Sequence, residues 1–258
     1  MMIEKIQSTR LDRQKLEGLK ISLEDLQGHS CDYSKVIVNK PWGHEYLIFH
    51  NDAVAVWLLY LKRGFQTSMH CHPNKKTSLV VLGGRTEFYT LGRRLKRAVG
   101  EGVMMEEKVF HQTKAVSGKG ALVLELETPT NKHDLVRLKD KYGREGKRYE
   151  TLQSGSSPPN TNYLTFPNNG NSSHVERCLG SCKLSFLKMK SKEAERCVVE
   201  RQGKSLLAVL KGQFAKGTRG DFVKAGEITA LRNLKETSLC RSNLDFEILI
   251  IDILSGAK

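Results

Sequence analysis

The feature that most constrains the fold is a series of short apolar runs, each closed by turn-forming residues. Between Val36 and Glu127 the runs are YLIF, AVAVWLLYL, SLVVL and ALVLELE, and Gly, Asn-Asp or Ser-Gly signals separate them. Runs of this length between turn signals are typical of buried strands. The same texture returns after residue 174 in KLSFLKMK, SLLAVLKGQF and LDFEILIIDIL. The sequence therefore predicts an all-β sandwich or barrel.

Changes in composition divide the chain into four parts. Residues 1–30 are charged, with apolar positions at loosely helical spacing, and predict an N-terminal helical segment. Ser, Pro, Asn and Gly dominate a stretch that predicts a linker at 151–173. We therefore expect β units at 31–150 and 174–258. Both contain a strand, a glycine-bearing turn and a strand, in SLVVLGGRTEF and SLLAVLKGQF, which favours a duplicated unit.

The charge balance favours an anionic partner. Lys and Arg number 42 against 28 Asp and Glu, a formal net charge of +14. The basic run GRRLKR at 92–97 has no interleaved aromatic residue, and we interpret it as a solvated hairpin tip, so no nucleic acid is expected. The sequence has neither the roughly 18 consecutive apolar residues of a membrane span nor the apolar run of a secretory signal. We expect a cytoplasmic protein with no membrane partner.

Three histidines are the candidate metal ligands. His70 and His72 lie two positions apart, so on a strand both imidazoles project from one face. His111 opens the segment VFHQTKAV, which an antiparallel pairing could bring beside them. Neutral imidazoles suit transition metals, and we expect a divalent ion with Zn, Fe, Ni and Mn left open. A fourth ligand could come from Glu125, Glu127 or Gln66.

The spacing around these histidines resembles the cupin family. Its first motif, G-x5-H-x-H-x4-E-x6-G, is matched by Gly64, His70, His72 and Gly84. Its second motif, G-x5-P-x-G-x2-H-x3-N, is matched by Gly100 and His111. The resemblance implies a double-stranded β-helix, or jelly roll, with a metal-binding cupin domain at 31–150.

The sequence also departs from the cupin motifs. Thr77 stands where the family has a glutamate ligand, and the Pro, Gly and Asn of the second motif are replaced by Glu106, Lys108 and Ala115. No histidine follows His174. Residues 174–258 are therefore expected to form a degenerate cupin-like domain, a bicupin with one active half. It would bury its strand faces against the first unit or a partner subunit, which leaves a homodimer open.

A second resemblance concerns sugar recognition. The segment Lys40 to Gly43, KPWG, and the segment Glu127 to Pro129 are similar to cupins of the mannose-6-phosphate isomerase type and to relatives that make surface polysaccharides. The arm at 128–146 is similar to the corresponding tract of sugar cupins, which implies sugar binding by Lys132, Arg137, Arg144 and Tyr149. Lys75, beside the histidines, joins them as a substrate-binding candidate. The alternative is a salt-bridged arm that latches the two units together.

The resemblance implies a metal-dependent isomerase or epimerase that acts on a sugar phosphate or nucleotide sugar in bacterial surface carbohydrate synthesis. An anionic sugar derivative is then the expected partner. The candidates for proton transfer are Lys76, Glu106, Glu125 and Glu127. Two alternatives remain open at this point: a three-histidine Fe(II) oxygenase, and a sugar-binding cupin without turnover.

Overall fold

Strands dominate the computed structural model, which describes residues 2–22, 26, 32–146, 149, 155–156, 165–166, 174–201, 205–216, 221–234 and 245–254. The strands of the first unit are β1 Ile3–Ile6, β2 Ile37–Lys40, β3 Gly43–His50, β4 Ala55–Leu61, β5 Met69–Cys71, β6 Lys76–Gly83, β7 Thr86–Thr90, β8 Arg94–Arg97, β9 Gly102–Met105, β10 His111–Ala115, β11 Ala121–Thr128, β12 Val136–Lys139 and β13 Gly155–Ser156.

These strands form two sheets. One has eight strands in the order β1-β9-β6-β11-β4-β3-β2-β13, and the other has five in the order β12-β5-β10-β7-β8. Along the chain from β4 to β12 the strands alternate between the two sheets, with β7 and β8 forming a hairpin in the smaller one. This alternation is the winding of a double-stranded β-helix, so the predicted jelly roll is confirmed.

The central strands of the larger sheet, β3, β4, β6 and β11, are buried on both faces. On β4, Trp57 and Leu59 point into the jelly roll, whereas Val56 and Leu58 point toward the second unit. A glycine of the first sequence motif has a structural role here: Gly84 has a φ of +76°, and a Cβ there would lie 2.4 Å from the carbonyl oxygen of Gly120. The apolar runs of these central strands are continuous because the side chains on both faces of each strand pack against other residues.

The second unit is built differently from the first. Its strands are β14 His174–Leu179, β15 Cys182–Lys190, β16 Ser205–Lys211, β17 Gln213–Lys216, β18 Asp221–Lys224, β19 Ile228–Ala230 and β20 Asp245–Ile253. Five form a sheet in the order β14-β15-β20-β16-β19, and β17 pairs with β18. A helix, α2 (Ser191–Glu200), interrupts the strands. The sequence analysis missed it, although Ala194 and Val198, four apart and both buried, give the helical spacing.

The N-terminal segment is only partly helical. Within the described residues 2–22, the helix expected for 1–30 is α1, Arg10–Gly18, which starts with a capping box between Thr9 and Asp12. The preceding residues form β1, which pairs in parallel with β9 at the edge of the larger sheet. The open edge of that sheet therefore outweighs the weak helical spacing of the first residues.

One hydrophobic core joins the two units. Phe186 of β15 packs against Phe49 and Phe166, with ring centroids 5.1 and 5.7 Å apart. Asn51 donates hydrogen bonds from Nδ2 to the carbonyl oxygen of Leu210 and to Glu247, at 3.0 and 2.9 Å. The second unit was expected to pack against the first unit or against a partner subunit, and the structure contains the packing against the first unit.

Two predictions, the domain boundaries and the absence of a membrane partner, are not decided by the described residues. The expected linker at 151–173 lies outside them except for 155–156 and 165–166, so the domain boundaries stay a prediction. In the described part of the chain, neither helix has the length and apolar character that crossing a membrane requires.

Candidate metal centre

The jelly roll brings the three histidines together. His70 lies on β5, directly opposite His111 at the start of β10, and His72 follows β5. Their ring centroids are separated by 4.4 Å for His70 and His111, 5.1 Å for His70 and His72, and 5.4 Å for His72 and His111. One possible ligand atom from each lies within 4.8 Å of those of the other two. The predicted convergence is present in the structure.

Backbone carbonyls orient the three rings. Nδ1 of His70 is 2.9 Å from the carbonyl oxygen of Ser68, and Nδ1 of His111 is 2.9 Å from that of Val109. Nδ1 of His72 is 2.5 Å from the carbonyl oxygen of Asp134. Because a carbonyl only accepts, each Nδ1–H must donate, and the Nε2 lone pair of the neutral ring is left for another partner.

Burial keeps the imidazoles neutral. It lowers the pKa of His70 and of His72 well below the usual value, and nearby cationic and imidazole groups lower both further. Burial also lowers the pKa of His111, to about 4. A neutral imidazole is the form that binds a metal, so the ligands are in the required protonation state at neutral pH.

Several buried atoms of the site have no hydrogen-bond partner in the described residues. They include Nε2 of His72, Nε2 of His111 and Oε2 of Glu127. Buried polar atoms are normally paired, and these three are all cation ligands by type. The residues present therefore fit a divalent transition metal.

Glu127 lies on β11, which pairs with β6, the strand that carries Thr77 in place of the family's glutamate ligand. It lies opposite Thr77 across the β6 and β11 pair, and a carboxylate oxygen of Glu127, one of Glu125 and a ring nitrogen of His72 lie within 4.8 Å of one another. Oε1 of Glu127 accepts from Nζ of Lys75 at 2.8 Å and of Lys132 at 3.2 Å. Although burial raises its pKa, Lys132 and Lys75 hold the pKa of Glu127 below the usual value.

Glu125 is the proton-carrying candidate of the pocket. Burial raises its pKa to about 7, and the neighbouring Glu127 carboxylate adds to the effect. A carboxyl group with a pKa near neutrality can both hold and release a proton at physiological pH. Burial opposes the charge of Lys132, but Glu127, Glu45 and Glu125 raise its pKa, so that ammonium stays charged.

The sequence analysis missed two charged groups of the pocket. Glu45 accepts a hydrogen bond from the hydroxyl of Tyr149, and its carboxylate lies 3.6 Å from Nζ of Lys40 and 3.5 Å from Nζ of Lys132. The ammonium of Lys40 also lies 3.8 Å from the centroid of the Tyr149 ring. In the sequence, Glu45 and Lys40 are each a single charged residue in or beside an apolar strand. This pattern usually indicates a side chain that faces solvent.

The arm at 128–146 contributes basic groups to the same pocket. Arg137 lies on β12, opposite His70, and is 7% exposed. Arg144 lines the pocket as well, and its guanidinium contacts the carboxylate of Asp140 at 2.7 Å. Lys132 and Tyr149 are buried in the pocket wall. The arm therefore closes over the metal centre of its own unit.

The structure places two catalytic candidates away from the pocket. Lys76 and Glu106 form an ion pair at 3.0 Å, and Glu106 also pairs with Lys5 at 2.6 Å. Neither lines the cavity that contains the histidines. Strand alternation explains the position of Lys76: Leu79 of β6 lines the cavity, and Lys76, three positions away, lies on the other face. Catalytic roles for Lys76 and Glu106 stay predictions that this geometry does not favour.

The cavity at the metal centre is small. It encloses about 60 Å³, which holds only a few water molecules. A ligand of sugar size could place only its reacting end there. The rest would lie outside this cavity.

Comparisons with known proteins concern parts of the chain. A scan of protein-family models and a search of curated proteins both find no match. Solved structures that are similar include KdgF from Halomonas sp., with a TM-score of 0.35 and 16% identity over 40% of this chain and 94% of that chain. The capsular polysaccharide assembling protein CapF from Staphylococcus aureus has a TM-score of 0.35 and 16% identity over 40% of this chain and 34% of that chain.

A third similar structure is an RmlC-like cupin from Shewanella frigidimarina, with a TM-score of 0.34 and 15% identity over 40% of this chain and 93% of that chain. The matches thus cover nearly all of KdgF and this cupin but only about a third of CapF. At these identities and TM-scores, the jelly-roll assignment rests on the strand order of the chain itself.

Proposed function

We propose that this chain is a metal-dependent, cupin-like enzyme that acts on an anionic sugar derivative, a sugar phosphate or nucleotide sugar, by isomerisation or epimerisation. The observation that carries the proposal is the buried set of three neutral imidazoles beside Glu125, a carboxyl group with a pKa of about 7. The place in cytoplasmic surface-carbohydrate synthesis follows from the sequence resemblance alone.

The residues of the pocket divide the chemistry between them. His70, His72 and His111 would hold a divalent transition metal, which when bound supplies a positive charge that polarises a carbonyl or a pair of hydroxyls. Glu125 would accept a proton from a carbon next to the carbonyl and return it. Glu127, fixed by Lys75 and Lys132, keeps a negative charge beside Glu125 and so maintains its raised pKa.

The charge of the pocket supports an anionic ligand. Five cationic side chains and three carboxyl groups line it, and one of the carboxyl groups, Glu125, can be protonated near neutral pH. The cationic residues are Lys40, Lys75, Lys132, Arg137 and Arg144, and the acidic residues are Glu45, Glu125 and Glu127. Arginine guanidinium groups bind phosphate oxygens in a forked geometry. Arg137 is thus the preferred phosphate contact, because Asp140 already engages two nitrogens of the Arg144 guanidinium, and the buried Lys75 has the structural role of fixing Glu127.

One feature favours the three-histidine Fe(II) oxygenase as a second candidate. The three imidazoles converge without a carboxylate, and Oε1 of Glu127 is already engaged by two ammonium groups, so a ligand set of imidazoles alone is possible. Such a set leaves positions for dioxygen and substrate. An oxygenase would consume oxygen when loaded with Fe(II), which the isomerase would not.

Metal content is the first test. Protein stripped with a chelator is reloaded separately with Zn, Fe, Ni and Mn, and the bound metal is measured by elemental analysis. We expect one ion per chain in the wild type and a loss of binding in His72→Ala and His111→Ala. His174→Ala, an exposed histidine of the second unit, is the matched control and should keep the metal. Equal metal content in all variants would refute the site.

Proton exchange is the second test. Loaded protein is incubated in D2O with sugar phosphates and nucleotide sugars, and deuterium at carbon next to the carbonyl is followed by NMR. The proposed isomerase incorporates deuterium, and Glu125→Gln abolishes the exchange while keeping the metal. Oxygen uptake without exchange would favour the oxygenase. Ligand binding without either reaction would identify a sugar-binding protein without turnover.

A further inference from the structure

A buried carboxylate lies behind the metal centre, in the N-terminal helix. Asp12, in the first turn of α1, is 2% exposed, and an aspartate is rarely buried so fully unless its oxygens have partners. Its Oδ2 accepts hydrogen bonds from the backbone N–H and the hydroxyl of Thr9, at 2.8 and 2.5 Å, as part of the capping box. Its Oδ1 has a partner outside the helix, which helix capping does not require.

That partner is the peptide group that orients a metal ligand. Oδ1 of Asp12 accepts a hydrogen bond from the backbone N–H of Phe110 at 3.0 Å. The same peptide group supplies the carbonyl oxygen of Val109, which lies 2.9 Å from Nδ1 of His111. Because the N–H and the C=O of a trans peptide group point in opposite directions, the carboxylate and the imidazole lie at its two ends. The contacts therefore run from carboxylate to peptide group to imidazole.

A carboxylate at one end of a peptide group strengthens the hydrogen bond at the other end. Negative charge next to the N–H polarises the peptide group, and hydrogen bonds in series strengthen one another. The carbonyl of Val109 is then a better acceptor for the Nδ1–H of His111. A stronger hydrogen bond at Nδ1 makes Nε2, the nitrogen left for the metal, a more basic ligand. Carboxylates bonded directly to ligand histidines have this effect, and here one peptide group lies between the two.

The surroundings preserve this effect. Phe110 is fully buried in a small apolar cluster and His111 is 3% exposed, so water and salt screen the charge of Asp12 only weakly. The turn before His111 is also fixed from the side of the metal centre, because the backbone N–H of Lys108 donates to the carbonyl oxygen of His72 at 2.8 Å. The peptide group between Asp12 and His111 is thus held in one orientation.

We propose that Asp12 is a positioning residue of the metal centre, which acts on His111 through the peptide group of Val109 and Phe110 and raises the affinity of the site for its metal. The inference rests on the metal site of the proposed function and extends it to helix α1. Asp12 does not line the cavity of the histidines, so its influence on the metal passes through His111.

Metal affinity measures this influence. The affinity of stripped protein for Zn(II) is determined by competition with a chromophoric chelator. Asp12→Asn keeps the size of the side chain and an acceptor oxygen but removes the charge, and should weaken binding about tenfold. Asp12→Ala also leaves the N–H of Phe110 without its acceptor, and should weaken binding further, by up to about 100-fold. Thr9→Ala, the matched control, removes a hydroxyl from the same helix cap and should keep the wild-type affinity.

A spectroscopic signature distinguishes this role from simple support of the fold. The Nδ1–H proton of His111 is observed by NMR in metal-free protein that contains isotope-labelled histidine, and it is assigned by its loss in His111→Gln. Asp12→Asn should shift this proton upfield, because the carbonyl of Val109 becomes a weaker acceptor. The Nδ1–H proton of His70, which faces the carbonyl oxygen of Ser68, is the internal control and should not shift.

The possible failures are distinguishable. If the wild type binds Zn(II) and both Asp12 variants bind it equally well, only the inference about Asp12 is overturned. It is also overturned if Thr9→Ala loses as much affinity as Asp12→Asn, because loss of the helix cap would then be the cause, or if the His111 proton does not shift in Asp12→Asn. If the wild type binds no Zn(II), the metal site of the proposed function is refuted, and the inference falls with it.

Discussion

Strands β11 and β20 occupy similar positions in their two units but have different surroundings. Both are central strands, and both turn one apolar face to the shared core, Leu124 and Leu126 on β11 and Leu249 and Ile251 on β20. The other face of β20 packs against helix α2 and the hairpin of β17 and β18. The other face of β11 carries Val123, Glu125 and Glu127.

The difference shows what a pocket requires in this fold. In the second unit, helix α2 supplies Ala194 and Val198 to fill the space over the sheet, and the strand opposite is apolar. In the first unit a second sheet supplies histidines and an arm supplies basic residues, so carboxylates can be buried there with partners. The candidate site therefore lies in the unit whose inner sheet face is covered by a second sheet instead of a helix.

Loss of the shared core should have the largest effect. Phe186→Ala removes a buried ring that contacts Phe49 and Phe166, and should lower the free energy of unfolding by about 3–5 kcal/mol. Both tryptophans lie in the first unit, so a urea titration followed by their emission should shift with it. Val199→Ala, at an exposed helix position, is the control. An unmoved tryptophan transition would show that the units unfold separately.

Loss of a buried carboxylate should rank second. Glu127→Gln leaves the ammonium groups of Lys75 and Lys132 without their closest partner, and should cost about 3 kcal/mol of stability. The matched change in the second unit, Asp245→Asn, breaks an exposed pair with Lys190 and should leave the denaturation midpoint nearly unchanged. Similar midpoints for the two variants would contradict the difference drawn between the two units.

The pH dependence should have opposite signs in the two units. The pKa of Glu125 is raised to about 7 in the fold, so its contribution to stability is present in acid and is lost as pH rises through about 7. Glu125→Gln should therefore gain stability relative to the wild type between pH 5 and pH 8 in the presence of a chelator. Urea midpoints at the two pH values measure this, and a constant difference would contradict it.

Glu176 of the second unit provides the comparison. Hydrogen bonds from Lys183 and Ser185 lower its pKa to about 2, so its contribution is present at neutral pH and is lost as pH falls toward 2. Glu176→Gln should then lose stability relative to the wild type at pH 7 and approach it in acid. The same urea titrations, extended to low pH, would detect the change.

The smallest effects should come from the ion pair outside the pocket. Lys76→Ala and Glu106→Ala remove a partly exposed contact, and each should change stability by less than about 1 kcal/mol. Neither should alter metal content, because neither side chain lines the cavity of the histidines. A loss of metal or of activity in Lys76→Ala would restore its assignment as a catalytic residue.

Local patterns were sufficient to predict an all-β sandwich or barrel with a histidine pair, and the resemblance to cupins narrowed the fold to a jelly roll. Strand runs and turn glycines depend on neighbouring residues, and the two-residue spacing of His70 and His72 fixes a common face. Glu125 and Glu127 could be predicted as pocket residues for the same reason, since they alternate with leucines on one strand. Lys76 and Glu106 lie outside the cavity because proximity in sequence to a histidine does not determine which face of a strand a side chain occupies.

Long-range contacts account for what the sequence analysis missed. Glu45 and Lys40 become pocket residues only when the arm brings Tyr149 and Lys132 against them, more than eighty residues later in the chain. Helix α2 was hidden because a helix of ten residues between strands gives only two buried positions one turn apart.

The pairing of β1 with β9 joins the first strand of the chain to one that is synthesised much later. Ile3 lies opposite Gly102 and Ile6 opposite Met105, so about a hundred residues must leave the ribosome before β1 meets its partner. Parallel pairing across so long a loop is entropically expensive and forms late in folding. Until then β9 presents an unpaired edge to other nascent chains. Refolding yield should therefore fall with protein concentration, and deletion of residues 1–9 should make that dependence steeper.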